Sequence, residues 1–120
     1  MTEDLHELAK IVSEYLDRFF DGLDGLKNML RESGDDSESA AEQIADACEG
    51  FIWLTEALTK LKPSTGYEPD RKAVDQIMKS LYNGVENDDK KFVASALEFD
   101  ALPMVEAWKG LVGAVTLAAR

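Results

Sequence analysis

At 120 residues, 45% hydrophobic and 31% charged, the chain is long enough for a single core and too apolar to be disordered. Its 24 acids against 13 bases give a net charge of −11, which repels phosphate backbones and anionic lipid and argues against nucleic-acid or membrane-surface binding. One cysteine (Cys48) offers no disulfide framework, no apolar run nears the ~20 residues of a membrane span, and the acidic start MTEDLHEL lacks signal-peptide order, so a cytoplasmic location is expected.

The first helix follows from Thr2 as N-cap and Glu3 and Asp4 in the first turn, where the helix dipole favours acids. Leu5, Leu8, Val12, Tyr15, Phe19, Leu26 and Met29 recur at spacings of three and four, and Ala9, Leu16, Leu23 and Leu30 widen that stripe. Gly22 falls on the stripe at a helix-propensity cost of roughly 1 kcal/mol, so a bulky neighbour or a close helix crossing is expected there. ESGDDS (32–37) ends the helix.

Ser39 and Glu42 have capping-box spacing and are expected to open the second helix. Ile44, Ala47, Phe51, Leu54, Leu58 and Leu61 form its core stripe, while Ile52 and Trp53 lie off it. Pro63 stops this helix, and KPSTGYEPD (62–70) reads as a turn-rich loop. A third helix starts near Asp70 with Val74, Ile77, Met78, Leu81, Tyr82 and Val85 inward. NGVENDD (83–89) interrupts or weakens it. From about Asp88 the pattern resumes with Phe92, Val93, Ala96, Phe99 and Leu102 inward. After Pro103 it continues with Met104, Val105, Trp108, Leu111, Val112, Val115 and Leu117. No strand-like alternation appears. The expected fold is all-α: one domain over residues 1–120, an up-and-down antiparallel four-helix bundle whose last helix is kinked or split at Pro103. Asp100 is expected to cap the restart, with Pro103 in its first turn.

The inventory for catalysis is thin. Glu3 and His6 have Glu-x-x-His spacing, but a carboxylate-bridged metal site needs a second such pair and the chain has one histidine. His6 is therefore expected to be an exposed first-turn residue. Cys48 lies in the acidic half of the chain, without the electropositive setting a reactive thiolate needs, and reads as a small buried hydrophobe. Glu98 and Asp100, two residues apart on a helix, point in different directions and form no acid–base pair. No catalytic residue, metal or cofactor is expected. The competing reading is a ligand-binding or enzymatic bundle with a pocket near the Pro103 kink, using Glu98, Tyr15 or Tyr82.

Charge is uneven: residues 1–50 hold 14 acids and 4 bases, residues 51–120 hold 10 acids and 9 bases. Glu3, Glu7, Glu14, Asp17, Asp21 and Asp24 recur at three- and four-residue spacings as an acidic ribbon on the first helix, each like-charged pair costing a few tenths of a kcal/mol. Such a ribbon is either a solvated face or a surface for a basic protein client. Ile52 and Trp53 on the second helix and Leu111 and Val115 on the last form a candidate apolar contact surface, with Gly110, Gly113, Ala114, Ala118 and Ala119 permitting close helix approach. These elements are either central in the bundle or part of a homodimer or client groove.

The stretch VENDDKKFVASALEFDALPMVEAW (85–108) resembles the C-terminal part of short acidic helical bacterial proteins grouped as a domain of unknown function. Leu97, Glu98, Phe99, Asp100, Pro103 and Trp108 carry the likeness, with a weaker echo at EGFIWL (49–54). Phe99 stands where tyrosine is expected and Asp100 where glutamate is usual. The likeness covers about a fifth of the chain and implies a helical bundle with no established activity. The sequence reading is a non-enzymatic bundle acting through protein–protein contacts, analogous in general character to small acidic export chaperones.

Overall fold

The structure, a computed structural model, describes residues 3–32 and 37–118; Thr2, Ala119 and the side chains of Glu3, Ser39 and Ala118 lie outside the described set. Helix α1 spans Glu3–Glu32 and α2 spans Ser37–Lys60. A single turn, α3 (Lys62–Thr65), is followed by α4 (Arg71–Glu86) and α5 (Lys90–Ala96). A π-helical segment (Leu97–Ala101) then joins α5 to α6 (Leu102–Ala118). Counting the run from α5 to α6 as one bent helix, the described residues hold five helices, four of them long, and no strand.

Why the helices begin where they do is visible locally. Asp70 has an extended backbone and its carboxylate accepts from the Lys72 and Ala73 N–H groups, while the Asp89 carboxylate accepts from that of Phe92. Both satisfy amide donors that the first helical turn leaves open. Between them Asp88 adopts a left-handed φ of 53°, which breaks α4 from α5 at the NGVENDD weak spot. The backbone of α2 is already helical at Ser37, two residues before the expected start, and the expected cap by the Ser39 side chain lies outside the described residues. The expected loop after Pro63 contains the turn α3, with Pro63 in its first turn and Gly66 closing it at φ 70°.

The long helices pack in a ring: α1 against α2, α2 against α4, α4 against α5, and α5 and α6 back against α1. α1, at 30 residues and about 45 Å, sets the 47 Å length of the molecule. Phe51 of α2 and Trp108 of α6 meet edge-to-face at 6.2 Å across the diagonal, both almost wholly buried. Burying side chains of this size contributes roughly 2–3 kcal/mol each. The short connection closes one end of the core, where the Trp108 indole N–H donates to the Tyr67 hydroxyl at 3.2 Å. In α1 the buried seam is Ala9, Val12, Leu16, Leu23, Leu26 and Leu30, while Leu5, Leu8, Tyr15, Phe19 and Met29 are only half-buried beside it. The stripe is thus centred one step to the side of the expected one.

The bend before Pro103 is a π-bulge, and no new helix starts there. The Leu102 N–H donates to the Leu97 carbonyl five residues back, and Asp100 lies inside the π segment as an exposed residue. It caps nothing, which corrects the expected restart. A π segment adds a residue to one turn, so positions extrapolated across it at 3.6 residues per turn land on the wrong face. Phe99, expected inward, is 69% exposed, and Leu117 is 67% exposed. Phe92 is also exposed, because Val93, Ala94, Ala96 and Leu97 take the inward positions around it. Tyr82 on α4 is exposed too, as the α4 seam runs through Val74, Ile77 and Leu81. Gly22 marks no close crossing, since a Cβ there would meet nothing within 4 Å. Gly110 and Gly113 are likewise open, so the small residues of α6 make no close approach there.

Candidate functional site

The close crossing of α1 and α2 lies at Gly50. A Cβ at that position would stand 2.5 Å from Phe19 Cε1 and 2.7 Å from the Tyr15 hydroxyl, so glycine lets the two side chains of α1 approach the α2 backbone. Tyr15 and Phe19, four residues apart on one helix face, stack with centroids 5.6 Å apart. Trp53 of α2 tilts onto Tyr15 at 4.9 Å, and Phe51 meets Phe19 edge-on at 5.0 Å. A chain of aromatic rings therefore runs from Trp108 in the core, through Phe51, Phe19 and Tyr15, to Trp53 at the surface.

Beside this crossing, between α1 and α2, is an open recess of about 500 Å³. Phe19, Leu23, Leu26 and Ala47 give it apolar walls, Gly22 leaves one side free of any side chain, and Arg18, Gln43 and Asp46 supply polar groups. Burial raises the Tyr15 hydroxyl above its ordinary value, with the Arg18 charge acting weakly the other way. Tyr15 therefore stays protonated at neutral pH and presents a neutral hydroxyl.

The acidic ribbon is not uniform. Asp24 holds Lys27 at 2.7 Å, and Asp17 lies 3.6 Å from Lys109 of α6. Lys109 also sits over the Phe20 ring, 4.5 Å from its centroid. Asp17 thereby ties α1 to α6 and Asp24 holds a lysine of its own helix, while Glu7, Glu14 and Asp21 are exposed. The four apolar candidates do not form one surface. Trp53, 38% exposed, belongs to the α1–α2 side. Ile52, 51% exposed, lines a smaller recess of about 140 Å³ between α2 and α4. Leu111 and Val115 are half-buried on α6, across the bundle from α2.

The groups considered for chemistry are also apart. Arg31 donates from both terminal nitrogens to the two Glu98 oxygens at 2.8 Å each, and Lys27 stands 4.0 Å away. The hydrogen bonds from Arg31, more than its charge or that of Lys27, hold the Glu98 carboxyl below its ordinary range. Glu98 is thereby committed to clamping the π segment onto α1. Burial pushes the Cys48 thiol up, with a hydrogen bond to Tyr82 opposing. Its thiolate is suppressed near neutrality. Neither Glu98 nor Tyr82 lines the α1–α2 recess. His6 is half-buried, not exposed as expected, and its Nδ1 is buried without a hydrogen-bond partner. Among the described residues no group of three His, Cys, Asp or Glu is placed to hold a metal ion, and no helix is long and apolar enough to cross a membrane.

Phe19, Gly22, Gln43 and Asp46 escaped sequence reasoning as site residues. The available signals were two glycines without a helical rationale, Gly22 and Gly50, each within a few residues of an aromatic pair. A family model described as a domain of unknown function (DUF8042) matches residues 7–111. No curated protein and no solved structure matches the chain.

Proposed function

For this chain, which belongs to the DUF8042 family, we propose a non-enzymatic role in which the α1–α2 face docks a segment of another protein. The observation that carries this is Gly22. Glycine in the interior of a long helix costs about 1 kcal/mol relative to alanine, and here no neighbouring atom requires it. Gly25, Gly110 and Gly113 are as open, but Gly22 is the one of the four that lines the 500 Å³ recess. Trp53 and Tyr15, an aromatic pair of the kind enriched at binding hot spots, extend the apolar surface from the same side. The groups that a reaction would call on are disposed otherwise: Glu98 is ionised and bound by Arg31, and the Cys48 thiol is buried.

The test is position-specific crosslinking in the cells that make the protein. A photoreactive residue replaces Gly22 in one variant and exposed Gln76 of α4, the helix diagonal to α1, in another. An adduct of defined mass from position 22 and none from position 76 is expected. Equal adducts at both positions, or none at position 22, would remove the proposal.

A further inference from the structure

We infer that the occupant of the α1–α2 recess is a basic amphipathic helix; this rests on the docking role proposed above. The walls of the recess run from Tyr15 to Leu26 on α1, twelve residues and therefore about 16 Å, which accommodates three turns of a third helix laid along the groove. An extended strand has no sheet edge to join here, because the backbone groups of α1 and α2 bond within their own helices. A helix brings its backbone already satisfied and offers side chains at i, i+3, i+4 and i+7 to Phe19, Leu23, Leu26 and Ala47.

Charge selects which helix. On α1, Arg18 lines the recess and the acids Glu14 and Asp21 lie four residues before and three after it, both exposed. On α2, Asp46 lines the recess and Glu42 and Glu49 stand at the same offsets, also exposed. Residues three and four apart share a helix face, so both rims carry acids, and Arg18 is the one base among the residues lining the recess. Asp17 and Asp24 stand apart from this set because Lys109 and Lys27 engage them. The α1–α2 half of a second copy is a poor occupant, as residues 1–50 carry 14 acids against 4 bases and would face the same potential. Lysines and arginines on both flanks of an apolar stripe fit, with the stripe on the floor and the bases over the rims.

The probe is an 18-residue helix-forming peptide with a leucine stripe and lysine flanks, beside otherwise identical peptides with glutamine or glutamate flanks. Binding to the intact protein is followed by calorimetry and by backbone amide shifts. The lysine peptide is expected to shift amides within 15–26 and 43–50, to weaken at least about tenfold between low and roughly 0.3 M salt, and to bind at least about tenfold more tightly than the glutamine peptide. Glu42→Lys/Asp46→Lys/Glu49→Lys, on exposed positions, is expected to weaken the lysine peptide by a similar factor and admit the glutamate one, with the melting temperature and circular dichroism checking that the fold is retained. If the glutamine peptide binds the same amides as tightly, the basic character is refuted while docking stands. If the lysine peptide moves only amides outside the recess, or no peptide binds, the helical occupant is refuted, and crosslinking from position 22 then decides separately whether any protein docks.

Discussion

Replacing Gly50 with alanine tests whether the spacing of α1 and α2, and with it the aromatic wall of the recess, is set by an absent side chain. The new Cβ would lie 2.5 Å from Phe19 Cε1 and 2.7 Å from the Tyr15 hydroxyl, where ordinary contact begins at 3.4 Å. The rings would have to retreat by most of an ångström. Phe19 is backed edge-on by Phe51, Phe51 by Trp108, and Tyr15 is held between Phe19 and Trp53. Overpacking of this kind costs about 1–3 kcal/mol, and the gain in helix propensity returns about 0.5–1 kcal/mol. A net loss of about 1–2 kcal/mol is expected. Urea unfolding followed by far-ultraviolet circular dichroism measures it, with an unchanged m-value indicating that the fold is retained. Gly22→Ala is the internal control, because the same change in open space should stabilise by about 0.5–1 kcal/mol. Wild-type or higher stability in Gly50→Ala would refute the idea that the ring pair fixes this crossing.

Further outcomes follow from the caps, the clamp and the core. Asp70→Ala removes a carboxylate that accepts from two backbone N–H groups and should cost about 1 kcal/mol in the same unfolding assay. The Glu98 carboxyl is held below its ordinary 4.5 by Arg31, so its contribution is present above about 4.5 and is lost as pH falls through the lower folded value. The stability gap between wild type and Glu98→Gln should therefore shrink on acidification below that point; a gap that widens would contradict the clamp. Tyr67→Phe deletes the hydroxyl that accepts from the Trp108 indole N–H and should cost about 1 kcal/mol, with a shift in the emission of that buried tryptophan.

The seam of α2, and within about one step of phase those of α1 and α4, were legible because apolar residues recur at three- and four-residue spacings, and Asp70 marked where α4 begins. The π-bulge was written less plainly. Val93, Leu97, Ala101 and Val105 are buried at three successive intervals of four, which drift about 40° per step on a regular α-helix. An inserted residue is what restores them to one face. Reading Pro103 as the cause of a restart placed Asp100 at a cap and Phe99 inward, when the backbone had already bent one turn earlier. The recess was least legible. It depends on which half-buried aromatic leans toward which neighbour, and on Gly22 facing open space, neither of which a single helix pattern encodes. The acidic ribbon was visible as spacing, but its division into fastened and exposed acids needed Lys109, 92 residues from Asp17 in the chain.

The central claim is that the opening at Gly22 serves an occupant rather than the fold. Gly22→Leu separates the two, since a Cβ there meets no neighbouring atom and leucine has the better helix propensity, yet its side chain would extend from a residue that lines the recess. Measured side by side, the melting temperature should rise while affinity for the lysine-flanked leucine peptide falls at least about tenfold. Undiminished binding by Gly22→Leu would contradict the account.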